Sequence, residues 1–434
     1  MSVGVASIKT ALARLSATAL ALPVLLGGGA APAVVAHVMT PSVGSPGQSW
    51  PLGDEQDLVA GQATCPMPPP GRPQIPLCYG PAQLRAAYDI QPLIDSGIDG
   101  TGSTIVVIDA FSSPTLADDL AAFDTAWGLP AASPDIFTPD GIPVFDPMSQ
   151  GGWAVEMSLD LEWAHAVAPG AHLVLVRAKS SNDVDLLSAT RFAVDNNLGD
   201  VITQSFGEAE TAADPELLRQ EHAVFERAAS KGITLVAGSG DFGATNKTVD
   251  GSLATVPAAA TPASDPDVTA VGGTRLFLDP STAAYVSETG WQDGSGASGG
   301  GFSSVYRRPG YQAPFTSDNT ARALPDVAYA ASGFGSVLIV ANHRTRAVFG
   351  TSAGAPQWAG IDALSRQFAG HRQSQLNIRL YHLAKSDAYG VAFHDVTTGN
   401  NTWHGVHGFD AGPGWDPVTG LGTPDVAKLI PLLS

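Results

Sequence analysis

Four short apolar runs rich in β-branched residues punctuate the first half of the chain: STIVVIDAF (103–111), AHLVLVRA (171–178), DVITQSF (200–206) and ITLVAGSG (233–240). Runs of this length, apolar at consecutive positions, predict strands covered on both faces. Between them the apolar positions return with helical spacing, in LADDLAAFDTAW, AVEMSLDLEWAHAVA, DVDLLSATRFAVDN and PELLRQEHAVFERAASKG. Strands alternating with helices predict parallel βαβ units, and hence an α/β fold: a doubly wound, mostly parallel sheet with helices on both faces. No internal repeat interrupts this pattern. Ligands of such sheets gather at the carboxyl ends of the strands, where Asp109, Ser205 and Asp241 fall. Residues 37–78, rich in Pro, Gly and Gln and without an apolar period, predict an extended arm ahead of a domain spanning 79–434.

Composition sharpens the picture. The 434 residues carry a formal charge of −19 with only 15% charged residues, alongside 48 Gly and 33 Pro. That balance suits a loop-rich globular protein and argues against nucleic acid or an anionic membrane as a partner. It also means that self-repulsion eases as pH falls. Lys9 and Arg14 precede the apolar run LSATALALPVLL and an Ala31-Pro32-Ala33 site, so residues 1–36 read as an export signal. The run is about a dozen residues, short of the roughly 20 needed to span a bilayer. A secreted, extracellular protein is expected. The two cysteines, Cys65 and Cys78, lack zinc-site spacing. In an oxidising compartment they are expected to close a small loop in the arm.

The chemistry starts from VFGTSAGAPQWAG (348–360), where Ser352 stands at the mouth of a predicted helix, its hydroxyl expected to be exposed. A serine needs a base to act as a nucleophile, and histidine is the usual one. No HGT motif occurs, WHGVHG (403–408) lies after Ser352 in a predicted loop, and His165 sits in mid-helix, where a satisfied structural role is the ordinary reading. Carboxylates offer more. Glu156 and Asp160 are four apart and share a helix face. Such a pair on a solvated face is only mildly unfavourable, by about 0.2–0.5 kcal/mol, and common. The flanking Trp153 and Trp163 favour partial burial instead, where two close carboxyls share a proton and serve as a base in acid. In VAGSGDFGA (236–244), Asp241 tips a Gly-rich turn. It is either a turn former or, when protonated, a hydrogen-bond donor to an oxyanion.

Taken in order, Glu156-x-x-x-Asp160, Ser-Gly-Asp241-x-Gly and Gly-Thr-Ser352-Ala resemble the sedolisins, the serine-carboxyl peptidases. VITQSFG, VTAVGGT, GGGFSSVYRRPGYQ, LPDVAYAA and GAPQWAG extend the resemblance over about residues 79–430. It implies a subtilisin-like fold, Ser352 as nucleophile, Glu156 as base, Asp160 orienting it and Asp241 at the oxyanion. Asp109 falls where relatives place an auxiliary acid. The implied reaction is endopeptidase or tripeptidyl-peptidase hydrolysis of a peptide or protein in acid, by a monomer. Family precursors carry a long folding prodomain; here the catalytic pattern begins near residue 79, so the arm is either a reduced substitute or dispensable. Two other readings stay open: a neutral subtilisin-type hydrolase with a histidine base, and an inactive binding protein on the same fold.

Near the C-terminus, FHDVTTGNN (393–401) and AGPGWDPVTGLGTP (411–424) are turn-rich loops by composition. The resemblance turns them into one structural Ca2+ site, with carboxylates from Asp395 and Asp416, the Val396 carbonyl, and carbonyls at Gly412 and Gly414.

Overall fold

The computed structural model describes Thr40–Pro41 and residues 78–434, apart from 249, 317, 318, 372 and 374. The expected export signal and Cys65 lie outside the described residues. Cys78 is disulfide-bonded and opens a short buried strand, Cys78–Tyr79, which pairs in parallel with Ser336–Ala341.

The central sheet is built from β1 (Thr104–Ala110), β2 (Asp135–Phe137), β3 (His172–Ala178), β4 (Val201–Gln204), β5 (Thr234–Gly238), β6 (Val268–Leu278), β7 (Tyr285–Gly290) and β8 (Val327–Ala330). Its order is β7-β6-β5-β4-β1-β3-β2, with β8 also paired to β6. All pairings are parallel except β6 with β7. Helices α1 (Leu116–Trp127), α2 (Pro147–Val167), α3 (Asp183–Asp195), α4 (Pro215–Ser230) and α5 (Gly354–Ala369) surround it.

Continuous apolar strands follow from this double cover. In β1, Ile105 and Val107 enter one core with Met157, Trp163, Trp358 and Ile361, while Val106 and Ile108 enter the other with Leu186, Val194 and Val224. Helices α2 and α5 therefore line one face and α3 and α4 the opposite one. Helix starts obey local chemistry. Asp146 and Asp214 cap α2 and α4 through side-chain bonds to Met148 N–H and Glu216 N–H, each followed by a proline whose missing N–H costs nothing there. That cap starts α2 at Pro147, seven residues before the apolar pattern predicted. The predicted DVITQSF run likewise divides: β4 ends at Gln204, and Phe206–Ala209 leaves the central sheet.

This departing strand matters for the site. Its inner edge pairs antiparallel with Ala260–Thr261. Its outer edge pairs antiparallel with Thr40–Pro41, which belongs to the same compact unit, in the register Thr40 to Gly207 and Pro41 to Phe206. Strand β1 pairs with both β3 and β4. The chain thus reverses its winding direction at β1, and ligands of doubly wound sheets bind at the carboxyl ends of the strands at such a point.

Candidate active site

Asp109 occupies the carboxyl end of β1, at the reversal point, and is fully buried. Glu156 and Asp160, one turn apart on α2, are fully buried as well. The solvated acidic face that the sequence left open does not exist, because both faces of this part of α2 are packed. Ser205, in the gap between β4 and Phe206–Ala209, donates its hydroxyl to Asp160 Oδ1 at 2.8 Å and offers its carbonyl to Ser352 Oγ at 3.4 Å. The expected exposed Ser352 hydroxyl is a correction: Ser352 is buried. Its 3-10 turn, Thr351–Ala353, is wedged between α2 and the start of α5. Gly350 enters this turn at φ +124°, a conformation that side chains rarely adopt. Gly238 at the end of β5 leaves room for it, since a Cβ there would sit 2.9 Å from Thr351 Oγ1.

Both oxygens of Asp109, both of Glu156 and Oδ2 of Asp160 have no hydrogen-bond partner among the described residues. Orphaned buried polar atoms demand an explanation, and a catalytic role is one. Other buried carboxylates of this protein have cation or hydroxyl partners: Asp326 is held by Arg322, Asp362 by Arg366 and Arg379, which draws the Asp362 carboxyl down to about 2 against its burial, and Glu221 and Glu288 by the hydroxyls of Thr261 and Thr274. Among the described residues no cation pairs with the Asp109, Asp160 and Glu156 set. Burial pushes all three well above the ordinary carboxylate range, and repulsion from Asp160 and Asp109 lifts Glu156 further. The Ser352 hydroxyl lies beside Glu156 and favours its ionised form. In the resting geometry, however, that hydroxyl donates to the Ser205 carbonyl rather than to Glu156. A rotation about its side-chain bond is the movement left for proton transfer, consistent with catalytic bonds that tighten only with substrate present. Such a set loses protons one at a time, and the first to leave creates a buried base.

Asp241 follows β5 and is clamped from the serine turn. Its Oδ1 accepts from Thr351 N–H at 2.8 Å and from Thr351 Oγ1 at 2.9 Å, while Oδ2 is buried and unpartnered. Burial raises this carboxyl to about 7, the Thr351 bonds opposing the rise. Below that pH the proton belongs on Oδ2, because Oδ1 already accepts two donors. The side chain then presents an O–H, one residue from Ser352. Thr351, whose hold on Asp241 sequence reasoning passed over, had as its signal its place directly before Ser352. His165, by contrast, holds the Pro130 carbonyl at 2.8 Å and faces Asp124, so it is structural.

A profile of the Subtilase family matches residues 150–407. The chain belongs to the sedolisins. It is 33% identical over 376 residues to kumamolisin from Bacillus sp. (strain MN-32), spanning 82% of this chain and 64% of that protein. It is 30% identical over 365 residues to sedolisin from Pseudomonas sp. (strain 101), spanning 81% and 60%. This chain therefore covers less than two thirds of the length of these relatives. A solved structure of Pseudomonas sedolisin, a serine-carboxyl proteinase complexed with pseudo-iodotyrostatin, superimposes with a TM-score of 0.71 at 29% identity. That match covers 82% of this chain and 97% of the sedolisin chain. The subtilisin-like fold read from the sequence is that of the sedolisins.

The two C-terminal loops meet as well. Asp395 accepts from Gly414 N–H at 3.1 and 3.0 Å and from the Tyr389 hydroxyl. Asp416 accepts from Gly412, Val418 and Thr419 N–H. The Thr419 hydroxyl lies 3.0 Å from Asp416 Oδ2 and 3.4 Å from the Val396 carbonyl, so a carboxylate and a carbonyl converge on one point. Burial raises Asp416 to about 6, opposed by the hydrogen bonds from Thr419, Val418 and Gly412. Carboxylates and the Val396 carbonyl are ligands of the kind a hard divalent cation takes, whereas the contacts made by Gly412 and Gly414 to these carboxylates are through their N–H groups.

Proposed function

We propose that this protein is a serine-carboxyl peptidase that hydrolyses peptide bonds in acid. The observation that carries the reading is the set of buried, cation-free carboxyls beside Ser352, facing a second, separately clamped carboxyl at Asp241. Ser352 Oγ attacks the scissile carbonyl and Glu156 takes its proton. Asp160, fixed by Ser205, and Asp109 behind it spread the proton over the set. The tetrahedral oxyanion receives the Asp241 Oδ2 proton as a hydrogen bond, together with the Ser352 backbone N–H. As the tetrahedral species collapses, the C–N bond breaks and Glu156 gives its proton to the leaving amine; the regenerated carboxylate then takes a proton from the water that cleaves the acyl-enzyme. The window for this chemistry opens when the first proton leaves the three-carboxyl set and closes as Asp241 ionises near pH 7.

The arm gives the substrate a direction. Thr40–Pro41 runs antiparallel to Phe206–Gly207, so its chain advances toward Ser205 and hence toward Ser352. A substrate added to the same edge presents residues N-terminal to the scissile bond, as strand addition requires. Residues 1–36 act in this reading as the export signal of an extracellular enzyme, and a Cys65–Cys78 disulfide pins the arm. One structural Ca2+ is held by Asp395, Asp416, the Val396 carbonyl and carbonyls at Gly412 and Gly414, where it ties the two loops together.

A pH–activity profile on denatured protein substrate tests the reading. An acid optimum lost on Ser352→Ala is expected. A neutral optimum, or activity that survives Glu156→Gln, would overturn it.

A further inference from the structure

We infer that Lys247 selects an acidic residue, Asp or Glu, on the N-terminal side of the bond that is cut; the inference rests on the peptidase reading above. In a chain with 41 acidic and 22 basic residues, what marks out Lys247 is its place beside Asp241. The buried Arg322 and Arg366 and the partly buried Arg379 are all paired. Half-buried Lys247 makes no ion pair among the described residues. Asp250, three residues on, is turned to Thr248 and Ser252.

Placement gives this cation its meaning. Lys247 Nζ lies 5.0 Å from the centre of the Phe242 ring, next to Asp241 in sequence. Its backbone carbonyl accepts from Ala209 N–H at 2.8 Å, on the strand whose outer edge receives Thr40–Pro41. The Lys247 backbone is thus anchored to the strand that orients substrate, while its ammonium lies over the ring that follows Asp241. With the scissile carbonyl oxygen at Asp241, the preceding Cα carries its side chain into this space. Asp241 is the charged group that acts on Lys247. In the working state Asp241 is protonated, which leaves the ammonium uncompensated while catalysis runs. A substrate carboxylate supplies the missing partner. Pairing of a partly buried lysine with a substrate carboxylate recovers only part of the Coulomb energy, because both ions lose water. The expected selectivity is therefore about tenfold.

The test uses a peptide series identical except for Glu, Gln, Leu or Lys before the cut, assayed near pH 5.5, where a substrate Glu is ionised. Turnover is measured for wild type, Lys247→Gln and Lys247→Glu, and peptide binding for the same Lys247 series on a Ser352→Ala background. We expect wild type to favour Glu over Gln about tenfold in kcat/KM, Lys247→Gln to erase that preference, and Lys247→Glu to favour the Lys peptide over the Glu peptide. Cleavage of the series without preference for Glu, or a preference unmoved by Lys247→Glu, overturns the inference and leaves the peptidase reading standing. Absence of all cleavage with Glu-selective binding that depends on Lys247 overturns the peptidase reading and retains the acidic-ligand site. Neither cleavage nor selective binding overturns both.

Discussion

Replacing Asp241 with Asn tests the oxyanion role and its electrostatic cost in one variant. The wild-type carboxyl is raised by burial from 3.8 to about 7 in the native state. The native state therefore keeps a proton that the unfolded chain releases above about pH 4. Stability from this group is fully present below that pH and is lost as pH rises through 7. At about 1.4 kcal/mol per pH unit, the loss between pH 4 and 8 is on the order of 4 kcal/mol. Asn does not titrate, so Asp241→Asn should gain stability relative to wild type by this order across the same range. Urea unfolding followed by tryptophan fluorescence at each pH reads the gap. The geometry also fixes how Asn must dock. Thr351 N–H and Oγ1 both donate to Oδ1, which places the amide oxygen there and the NH2 where Oδ2 stands. The variant then keeps a donor for the oxyanion at every pH, whereas Asp241→Ala keeps none and should lose about 2.7–4 kcal/mol of transition-state stabilisation. Asp241→Asn should outperform Asp241→Ala in kcat by a hundredfold or thereabouts, and its alkaline limb should move above pH 7. A stability gap independent of pH, joined to equal activities of the Asn and Ala variants, would refute the reasoning and leave Asp241 a turn residue.

Ser352→Ala and Glu156→Gln should each nearly abolish turnover with the fold intact by circular dichroism, and the double variant should lose little more than either single one, because the two act as a unit. Glu221, bonded to Thr261 and raised by burial to about 8, has the same sign as Asp241: Glu221→Gln should gain stability relative to wild type as pH rises from 4 to 8, read by the same urea series, with activity in acid unchanged. Chelation should lower the melting temperature in scanning calorimetry, since calcium bound only by the native state contributes about 2.7 kcal/mol at a hundredfold excess over Kd; Asp395→Ala should abolish the difference between chelated and calcium-loaded protein.

Local pattern by itself determined the skeleton. The runs at 103–111, 171–178 and 233–240 became strands because a segment apolar at every position needs cover on both faces, and the intervening helical spacing supplies it. Spacing also put Glu156 and Asp160 on one helix face, since i and i+4 are a turn apart whatever surrounds them. Tertiary structure decided whether that face meets water. It is buried because α5, some two hundred residues later in the chain, packs on α2. The same long-range closure placed Asp109 behind the pair, brought Thr351 to Asp241 across 110 positions, and put the Ser205 carbonyl under Ser352 across 147. It also sank a serine hydroxyl that the small residues around it had suggested was exposed. The start of α2 escaped the apolar pattern because a capping Asp146 and a proline recruit residues with no helical period. Hydrophobic spacing reports only on near neighbours, whereas protonation, burial and proximity at a reacting centre depend on which crossovers bring distant strand ends together.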